Sequence, residues 1–511
     1  MLLITRYASK SLTIAWLSLQ KVLISHQAIK IIPGFVNEPG PSILKAELKS
    51  PSRHSQALCN DLGARLRRAS TVQPLCIVSP ESAQDVSTAV SALTKVNATA
   101  TNPVPGCHFA IRSGGYTYFT GASNIQGGVT IDLRALNDIE PNQDGPSLLV
   151  GVGATWGMVY AQLDNFNLSV AGARAANVGV GGLTIGGGIS YFGPRYGWAC
   201  DMVTNFEVVL YNGSIINAND DENPDLLWAL RGGSGNLGIV TRVKLQAFEQ
   251  EQIWGGVVHH TSSSTNEQVA YLAEYSNPAN YDEFSSLIST FAYSGAYGAA
   301  VIVNNMEYTK AVVNPPIFQP LLSITSLSST MRITNMTDLS RETQRLQLPG
   351  SREASATITI EPTAEAINAT VQAWNASVPS IQEVPGIVWS IVLEPLPPAI
   401  YARHAETNAL GLADRQGRGL MIVMLSMTWS DAEDDDKIET VAKTLVANIE
   451  GDVRQLNALD RYVYLNYAAA WQKPITSYGQ ASVDRLANVR REYDPRKVFT
   501  DNVPGGFKLH E

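Results

Sequence analysis

The densest run of glycine in this sequence is Val178-Gly179-Val180-Gly181-Gly182-Leu183-Thr184-Ile185-Gly186-Gly187-Gly188. Glycine loses extra backbone entropy on folding and buries no side chain, so the run is a poor choice for a packed element. Interleaved with Val, Leu and Ile, it instead lets the backbone pass close to a flat or phosphorylated ligand. A flexible linker or a sharp turn is the alternative, but linkers favour Ser, Pro and charged residues. We therefore predict that residues 178–188 contact a ligand.

A second glycine stretch, Arg112-Ser113-Gly114-Gly115, precedes the first by a few strand–helix units. Backbone N–H groups in such a loop form a concave site for anions. Two loops of this kind favour one extended cofactor that is held at both ends.

Length and charge limit the classes of function. A chain of 511 residues is expected to form two or more domains, because single hydrophobic cores stop growing below that size. The formal net charge of −9 argues against nucleic acid or an anionic membrane as the main partner. We expect a small-molecule ligand, no nucleic acid and no stable membrane association.

The cysteines indicate no metal site. They are Cys59, Cys76, Cys107 and Cys200, without a Cys-x-x-Cys pair and without metal-like spacing to the histidines. One disulfide among the first three, or four buried thiols, both fit the sequence. His259 and His260 are adjacent on a predicted strand and therefore point to opposite faces, which disfavours a shared metal.

Glycosylation sequons and the N-terminus bear on localisation. Asn-x-Ser/Thr occurs at Asn97, Asn167, Asn212, Asn335, Asn368 and Asn375. Residues 12–19 form an apolar segment between Lys10 and Lys21 that is too short to span a membrane. We expect a glycoprotein of the secretory pathway or a secreted protein; an organelle presequence or a misassigned start codon are the alternatives.

Strands and helices alternate from residue 70 to 248. Predicted strands at 75–78, 109–112, 129–133 and 148–152 are interspersed with helices, one of them starting at the Ser82-x-x-Asp85 capping box. Asn212-Gly213 between two apolar runs predicts a hairpin. A helix from Pro224 and a strand at 239–245 follow. The pattern predicts an α+β domain.

One motif matches the dinucleotide-binding sequence pattern but lacks its structural context. Gly233-Ser234-Gly235-Asn236-Leu237-Gly238 fits the Gly-x-Gly-x-x-Gly pattern. The Rossmann arrangement needs a strand before the loop and a helix after it, so that pyrophosphate meets a helix N-terminus. Here the predicted helix comes first and the strand second. The loop is therefore not a Rossmann site, although it remains a candidate ligand contact.

Longer alternating strands follow, such as 283–293 and 299–308, with a helix at 266–275. They predict a second domain with an antiparallel sheet and helices on one face. Near the C-terminus we predict a strand at 462–467 and a helix at 482–493. The predicted organisation is a lead-in at 1–69 with a short helix at 61–68, a first domain at 70–248, a second at 249–455 and a C-terminal element at 456–508.

The ordered motifs together resemble a known family. They are 111–115, 127–133 (Gly-Gly-Val-Thr-Ile-Asp-Leu), 178–188, 196–201 (Tyr-Gly-Trp-Ala-Cys-Asp), 231–240 (Arg-Gly-Gly-Ser-Gly-Asn-Leu-Gly-Ile-Val), Asn466-Tyr467, and the closing Tyr493-Asp494-Pro495 and Val498-Phe499. Over residues 71–508 the chain resembles the berberine bridge enzyme-like branch of the vanillyl-alcohol-oxidase-type flavoproteins, the fungal FAD-linked oxidoreductases.

The resemblance implies a PCMH-type FAD-binding domain of two subdomains, a substrate domain over the flavin, and a C-terminal segment that returns to the FAD domain. Residues 112–121 would cradle the pyrophosphate. The cofactor-binding residues that it implies are Arg112, Ser113, Gly114, Gly115, Tyr116, Gly121, Gly179, Gly181, Gly182, Gly186, Gly187, Gly188, Asp201, Gly238, Val240 and Asn466.

Two positions depart from the family pattern. The branch usually carries His directly after Arg-Ser-Gly-Gly as a covalent anchor for the flavin, and this chain has Tyr116. The second anchor, a Cys in bicovalent members, aligns with Ala175. A phenol with a pKa near 10 is a much poorer nucleophile at neutral pH than an imidazole. We expect FAD to be bound without a covalent bond; a tyrosyl link is the alternative.

Flavin oxidation of a C–H bond beside O or N needs a base for the accompanying proton. Tyr467 is our first candidate, Tyr464 the second, and Glu394 an acidic candidate from the second domain; packing roles for the tyrosines, and a solvated position for Glu394, are the alternatives. A phenol needs a neighbouring cation or donor to serve as the base.

The leading hypothesis is an FAD-dependent oxidoreductase that uses O₂ and oxidises a small organic molecule in secondary metabolism. The alternative is a flavin-fold protein with non-redox activity, such as a cyclase, or a binding scaffold. Neither the substrate nor the oligomeric state follows from the sequence.

Overall fold

A computed structural model describes residues 30–33, 72–99, 108–142, 145–345, 350–415 and 417–509. The predicted helix at 61–68 lies outside the described residues, as do Cys59 and Cys107 of the possible disulfide. Cys200 is a buried free thiol. Among the described helices, none combines the length and the apolar character needed to cross a membrane.

The first sheet is small and mostly parallel. Its strands are β1 (Lys30–Pro33), β2 (Cys76–Ser79), β3 (Phe109–Arg112) and β4 (Val129–Asp132). They lie in the order β1-β2-β4-β3, with β2 and β3 parallel to β4. Helix α1 (Ala83–Thr99) follows β2. Its first turn is capped as predicted, because Ser82 Oγ accepts from the N–H of Asp85 at 3.2 Å.

The second sheet is antiparallel and has the order β5-β6-β10-β8-β9, while β7 and β11 form a separate two-stranded ribbon. These strands are β5 (Ile139–Pro141), β6 (Ser147–Gly151), β7 (Leu168–Ser169), β8 (Val203–Val209), β9 (Ile215–Ala218), β10 (Ile239–Gln246) and β11 (Phe248–Glu249). The predicted Asn212-Gly213 hairpin joins β8 to β9, with Gly213 at φ 85°.

The helices beside these sheets are short. They are α2 (Trp156–Leu163), α3 (Val180–Ile185), α4 (Gly193–Tyr196) and α5 (Pro224–Leu230). Helix α5 precedes the loop 233–238 and strand β10 follows it, so the order that excludes a Rossmann site is confirmed. The prediction that residues 178–188 avoid a regular element was wrong for α3. Two of its side chains, Val180 and Thr184, are buried and secure the turn.

The third sheet has nine strands and is antiparallel throughout. They are β12 (Ile253–Thr261), β13 (Ser285–Ser294), β14 (Ala299–Tyr308), β15 (Ser326–Ser329), β16 (Arg332–Thr334), β17 (Arg352–Ile360), β18 (Val388–Leu396), β19 (Leu420–Trp429) and β20 (Leu459–Asp460). The helices of this region are α6 (Thr265–Tyr275), α7 (Gln319–Leu322), α8 (Met336–Arg345), α9 (Ala364–Ser377), α10 (Pro398–Ala402) and α11 (Asp435–Gln455).

The two faces of the third sheet have different neighbours because side chains alternate along a strand. On β18, Trp389, Ile391 and Leu393 join the buried cluster that includes side chains of α6, α9 and α11. The intervening positions on the same strand point away from these helices. The predicted antiparallel sheet with helices on one face is therefore confirmed, and the other face is free to form a wall of a cavity.

The C-terminal segment returns to the first part of the fold, as the resemblance implied. It contains α12 (Pro474–Ser477) and α13 (Gln480–Tyr493). Tyr493 Oη lies 2.9 Å from the Asp225 carboxylate on α5, and the Phe499 ring packs against Phe109 of β3. The α+β fold class is confirmed, while the domain limits at 248 and 455 stay predictions.

The strand predicted at 462–467 was wrong. Residues 461–464 have no strand partner, and residues Leu465–Tyr467 form a 3₁₀ turn. The alternation of buried Tyr462 and Tyr464 with Val463 indicated an extended backbone, but side chains replace the missing partner strand. For example, Ser477 Oγ accepts from the N–H of Val463 at 2.9 Å.

Candidate active site

A cavity of about 570 Å³ lies between the first part of the fold and the third sheet. One wall, which we call the glycine wall, is formed by the loops 113–119, 178–183 and 234–240. The opposite wall, the sheet wall, is the helix-free face of β13, β14, β18 and β19. Ligand sites in proteins commonly have this volume.

The glycine loops are packed backbone against backbone. A Cβ added to Gly114 would lie 2.6 Å from the Cα of Gly179, which leaves no room for a side chain at either position. Ser113 fixes the same contact, since its Oγ donates to the Val152 carbonyl at 2.6 Å and accepts from the N–H of Gly181 at 3.2 Å. The two stretches singled out in the sequence therefore form one surface.

Other glycines keep the cavity open. A Cβ on Gly182 or Gly235 would meet no atom within 4 Å, although both residues line the cavity. Gly115 has φ 66°, a backbone conformation that favours glycine. A side-chain-free surface with N–H groups available in a turn fits a flat, pyrophosphate-bearing cofactor.

Most of the predicted site residues face this cavity. Those that line it are Ser113, Gly114, Gly115, Tyr116, Gly179, Gly181, Gly182, Gly238, Val240, Glu394, Tyr464, Asn466 and Tyr467. The structure thus brings the predicted cofactor loops and all three candidate bases to one place. Ser234 and Gly235, from the Gly-x-Gly-x-x-Gly loop 233–238, also line the cavity.

Six predicted cofactor residues do not line it: Arg112, Gly121, Gly186, Gly187, Gly188 and Asp201. Their positions indicate support of the wall. A Cβ on Gly186 would lie 2.1 Å from Asn466 Oδ1, so glycine there lets the C-terminal segment approach. The side chain of Arg112 is buried, and its Nη1 lies 3.6 Å from the Asp132 carboxylate.

Asp201 supports the glycine wall from behind. Its carboxylate accepts from the Trp198 N–H at 2.9 Å and from Asn408 Nδ2 at 2.8 Å. The turn that it caps donates two N–H groups to the carbonyls of Gly187 and Gly188. Burial raises the pKa of Asp201 to about 7, although these hydrogen bonds oppose the shift.

The two positions that carry covalent flavin anchors in the resembled family both line the cavity. They hold Tyr116 and Ala175. The methyl group of Ala175 offers no nucleophile. The Tyr116 ring lies 6.2 Å from the Tyr118 ring in an edge-to-face arrangement.

The sheet wall is formed by alternate side chains. Its members are Ile288, Thr290, Ala292, Val303, Asn305, Val388, Ser390, Val392, Met424, Ser426 and Thr428. These side chains are uncharged, either apolar or polar, and most are small; the carboxylates of Glu394 on β18 and Glu353 on β17 line the same cavity. The wall thus offers apolar contact with a few hydroxyl and amide groups, which is typical of small-molecule sites.

A buried cluster of three polar side chains joins the two walls. Arg174 Nη2 lies 2.8 Å from Glu394 Oε1, and it also donates a hydrogen bond to Tyr467 Oη. Tyr467 Oη donates to Glu394 Oε1 at 3.1 Å. Both Arg174 and Glu394 have less than an eighth of the side chain exposed, at 11% and 5%. All three residues line the cavity, so a bound ligand can reach them.

The electrostatics of the cluster keep the phenol neutral at rest. Burial raises the pKa of Tyr467 well above its ordinary value. The positive charge of Arg174 acts to lower this pKa, and the negative charge of Glu394 acts to raise it. Burial also acts to lower the pKa of Arg174, but the Glu394 charge, together with Tyr467, raises it well above the ordinary value. Arg174 is therefore the fixed cation of the cluster.

Tyr464 has a different environment. Its Oη accepts from the N–H of Ile189 and from Asn466 Nδ2, each at 3.1 Å. Burial raises its pKa, and the phenol has no carboxylate within hydrogen-bond distance among the described residues. Its ring packs edge-to-face on that of Tyr467, with centroids 4.8 Å apart. These contacts fit a supporting role better than a proton acceptor.

Arg174 was not among the predicted site residues. The sequence indicated that Tyr467 needs a neighbouring cation or donor, but it did not show which residue supplies it. One signal was present. Arg174 is the single charged residue in the otherwise apolar stretch 170–176. A charged side chain in such a stretch requires a partner when it is buried.

The described residues contain no group of His, Cys, Asp and Glu that could hold a metal ion. His259 and His260 have separate partners, Ser328 Oγ and the Thr325 carbonyl, in agreement with their predicted opposite faces.

Residues 74–219 match the model of a family described as an FAD binding domain. The chain is 40% identical over 443 residues to the oligopeptidase PhomG′ of Diaporthe leptostromiformis; the alignment covers 86% of this chain but 34% of that protein, about a third of its length. It is 35% identical over 438 residues to the FAD-dependent monooxygenase drtC of Aspergillus calidoustus, with 85% of this chain and 82% of that protein covered.

Among solved structures, the BBE-like 1 protein of Physcomitrella patens has a similar fold, with a TM-score of 0.72 at 17% identity, covering 90% of this chain and 96% of that one. The identity to drtC, over most of both chains, establishes the family. The chain belongs to the FAD-dependent oxidoreductases that contain this FAD-binding domain, and FAD is its cofactor.

Proposed function

We propose that the protein is an oxygen-dependent FAD oxidoreductase that oxidises a small, neutral organic molecule and holds FAD in the cavity without a covalent bond. The observation that carries the proposal is the buried cluster of Arg174, Glu394 and Tyr467, placed where the glycine wall meets the sheet wall. Bound FAD would supply the two-electron acceptor, with O₂ as the final oxidant.

Glu394 and Tyr467 would take up the proton that the substrate releases. Tyr467 already donates its hydrogen to Glu394. When the substrate gives its proton to Tyr467 Oη, the phenol can pass its own proton to the Glu394 carboxylate in the same step. A free phenolate is then never formed, which avoids the cost of a buried anion.

Arg174 would hold this pair in position. It donates to both partners, so it fixes the phenol oxygen toward the cavity and compensates the carboxylate charge before proton transfer. After transfer the cluster carries one net positive charge. That charge favours a substrate that is negatively polarised at the reacting atom.

The substrate class follows from the sheet wall. No cation lies on that wall among the described residues, and its side chains are apolar, hydroxyl or amide apart from two carboxylates, Glu394, which is paired with Arg174, and Glu353 on β17. These groups would bind an uncharged molecule with a few hydrogen-bonding oxygens. A secondary metabolite fits this description, and the similarity to drtC, an FAD-dependent monooxygenase, supports redox chemistry.

Acid precipitation of the purified protein tests the mode of cofactor binding. We expect the yellow colour to appear in the supernatant, because Tyr116 and Ala175 replace the usual anchors. Colour that stays with the precipitate would establish a covalent bond and contradict this part of the proposal. Mass spectrometry of the precipitated chain provides the matched readout.

Anaerobic screening of candidate substrates tests the reaction. We expect a substrate to bleach the flavin absorbance and air to restore it with release of peroxide. Incorporation of an atom of labelled O₂ into the product would instead identify a monooxygenase, like drtC. Turnover with an unchanged flavin spectrum would overturn the proposal and favour the non-redox alternative.

A further inference from the structure

The last described residues form one wall of the same cavity. We call residues 503–509 the C-terminal strap; its lining members are Val503, Gly505, Gly506, Phe507 and Lys508. The strap lies between two glycine-wall loops. The Phe507 ring packs on Phe119, with centroids 5.3 Å apart, and Asn236 binds both the Phe507 carbonyl at 3.0 Å and the Leu509 N–H at 3.2 Å.

Glycine makes this close contact feasible. A Cβ on Gly505 would lie 1.9 Å from the carbonyl oxygen of Gly121, at the end of the first glycine loop. Gly506 has φ 80°, so the chain turns where a side chain would be strained. The strap is thus packed directly on the two loops that would contact the cofactor.

Lys508 brings a charge to this end of the cavity. Its Nζ donates to the Phe499 carbonyl at 2.9 Å and has no ion-pair partner among the described residues. An ammonium has further hydrogens to donate. Burial lowers the pKa of Lys508 to about 7, against the weaker, opposite effect of the Asp494 charge.

The cavity has few charges that could serve a cofactor. Among the described residues that line it, Arg174 and Lys508 are the cations, and Arg174 is paired with Glu394. The negative charge of FAD resides in its pyrophosphate, and the anion-binding turn at Ser113-Gly114-Gly115 belongs to the loop whose Phe119 packs on the strap. Lys508 is therefore the cation available for that group.

We propose that the C-terminal strap is part of the cofactor site and that Lys508 Nζ pairs with the pyrophosphate of FAD. The inference rests on the proposed position of FAD in the cavity. It explains how a chain without the usual covalent anchors retains its cofactor, because the strap adds both cover and a charge-assisted hydrogen bond. Lys508 would thus bind the cofactor and take no part in the chemical step.

Ligand titration of the flavin-free protein tests this assignment. FAD and ADP carry a pyrophosphate, whereas riboflavin carries no phosphate. We expect Lys508→Met to weaken FAD and ADP binding by about 10- to 100-fold and to leave riboflavin binding unchanged. Lys508→Arg keeps the charge and is expected to retain binding within a few-fold of the wild type.

Lys443→Met is the matched control. Lys443 lies on α11, where its Nζ contacts Glu439 and its side chain is 49% exposed, so its loss should change none of the three affinities. Melting temperatures of the flavin-free variants check the fold. If Lys508→Met does not fold, Lys508→Gln provides the same loss of charge with a polar side chain.

The role of Lys508 and the position of FAD in the cavity are tested by different outcomes. Equal affinity of the wild type and Lys508→Met for FAD and ADP would overturn the role of Lys508 while FAD binding stands. An equal loss for riboflavin would also overturn it, since a general disturbance of the cavity would then be the cause. A wild type that binds none of these ligands would overturn the position of FAD itself.

Discussion

The two walls of the cavity differ in the part of the chain that they expose to a ligand. The glycine wall presents backbone, and where its loops touch, a single added carbon would lie 2.6 Å from the neighbouring chain. The sheet wall presents alternate side chains from strands whose other face packs on helices. A backbone surface cannot change its ligand by substitution, whereas a side-chain surface can. Under the proposed function, the first wall would fix the cofactor and the second would select the substrate.

The largest expected effect lies where the walls meet. Tyr467→Phe should lower kcat by about 10²- to 10⁴-fold, the usual contribution of a positioned acid or base. The matched control is Tyr464→Phe, which removes a phenol whose ring lies 4.8 Å away but which has no carboxylate partner. A similar loss of kcat in both variants, with FAD affinity unchanged, would contradict the assignment of the base.

The support of the glycine wall should depend on pH. The folded-state pKa of Asp201, about 7, is above its ordinary value of 3.8, so the folded protein holds an extra proton between these values. Its contribution to the free energy of unfolding therefore falls as pH rises from about 4 to 7, by at most roughly 4 kcal/mol. Urea unfolding across this range should show that fall in the wild type relative to Asp201→Asn. Parallel curves for the two proteins would disprove it.

Alanine substitutions at three glycines distinguish a role in packing from a role in ligand contact. Gly114→Ala should lower the free energy of unfolding by about 1–3 kcal/mol, because its Cβ would press on the Gly179 backbone. Gly182→Ala should leave stability nearly unchanged and weaken FAD binding, since its Cβ would point into the cavity. Gly451→Ala, within α11 and without a neighbour inside 4 Å, is the control and should be neutral or slightly stabilising. Thermal melting and FAD titration distinguish the three.

The smallest expected effect lies on the sheet wall. Thr290→Ser removes one methyl group from the cavity lining and should raise KM by about fourfold, as expected for roughly 0.8 kcal/mol. FAD affinity should not change. A loss of FAD binding in this variant would mean that the two walls do not divide their roles as described.

The glycine wall was largely predictable from the sequence, and the sheet wall was not. Runs such as 112–115 and 178–188 are local signals, and the strands around them follow local periodicity. The resemblance added the expectation that these runs share one ligand. Helix α3 was missed, because the burial of Val180 and Thr184 outweighs the entropic penalty of the glycines between them. The last three glycines of the run, 186–188, do not line the cavity.

The joining cluster could be predicted only in part. Glu394 and Tyr467 were candidates on chemical grounds, but their contact with Arg174 is set by tertiary packing, which no local pattern encodes. The same reason explains the wrong strand at 462–467. Alternation of tyrosines predicts which residues are buried, but it does not supply a neighbouring strand.

The separation of the cluster along the chain has a kinetic consequence. Arg174 is 220 positions from Glu394 and 293 from Tyr467. Closing loops of that length costs conformational entropy before the contact compensates for it. In refolding, helical signals should therefore return well before turnover does, and a mixture that looks native by circular dichroism will still contain inactive molecules.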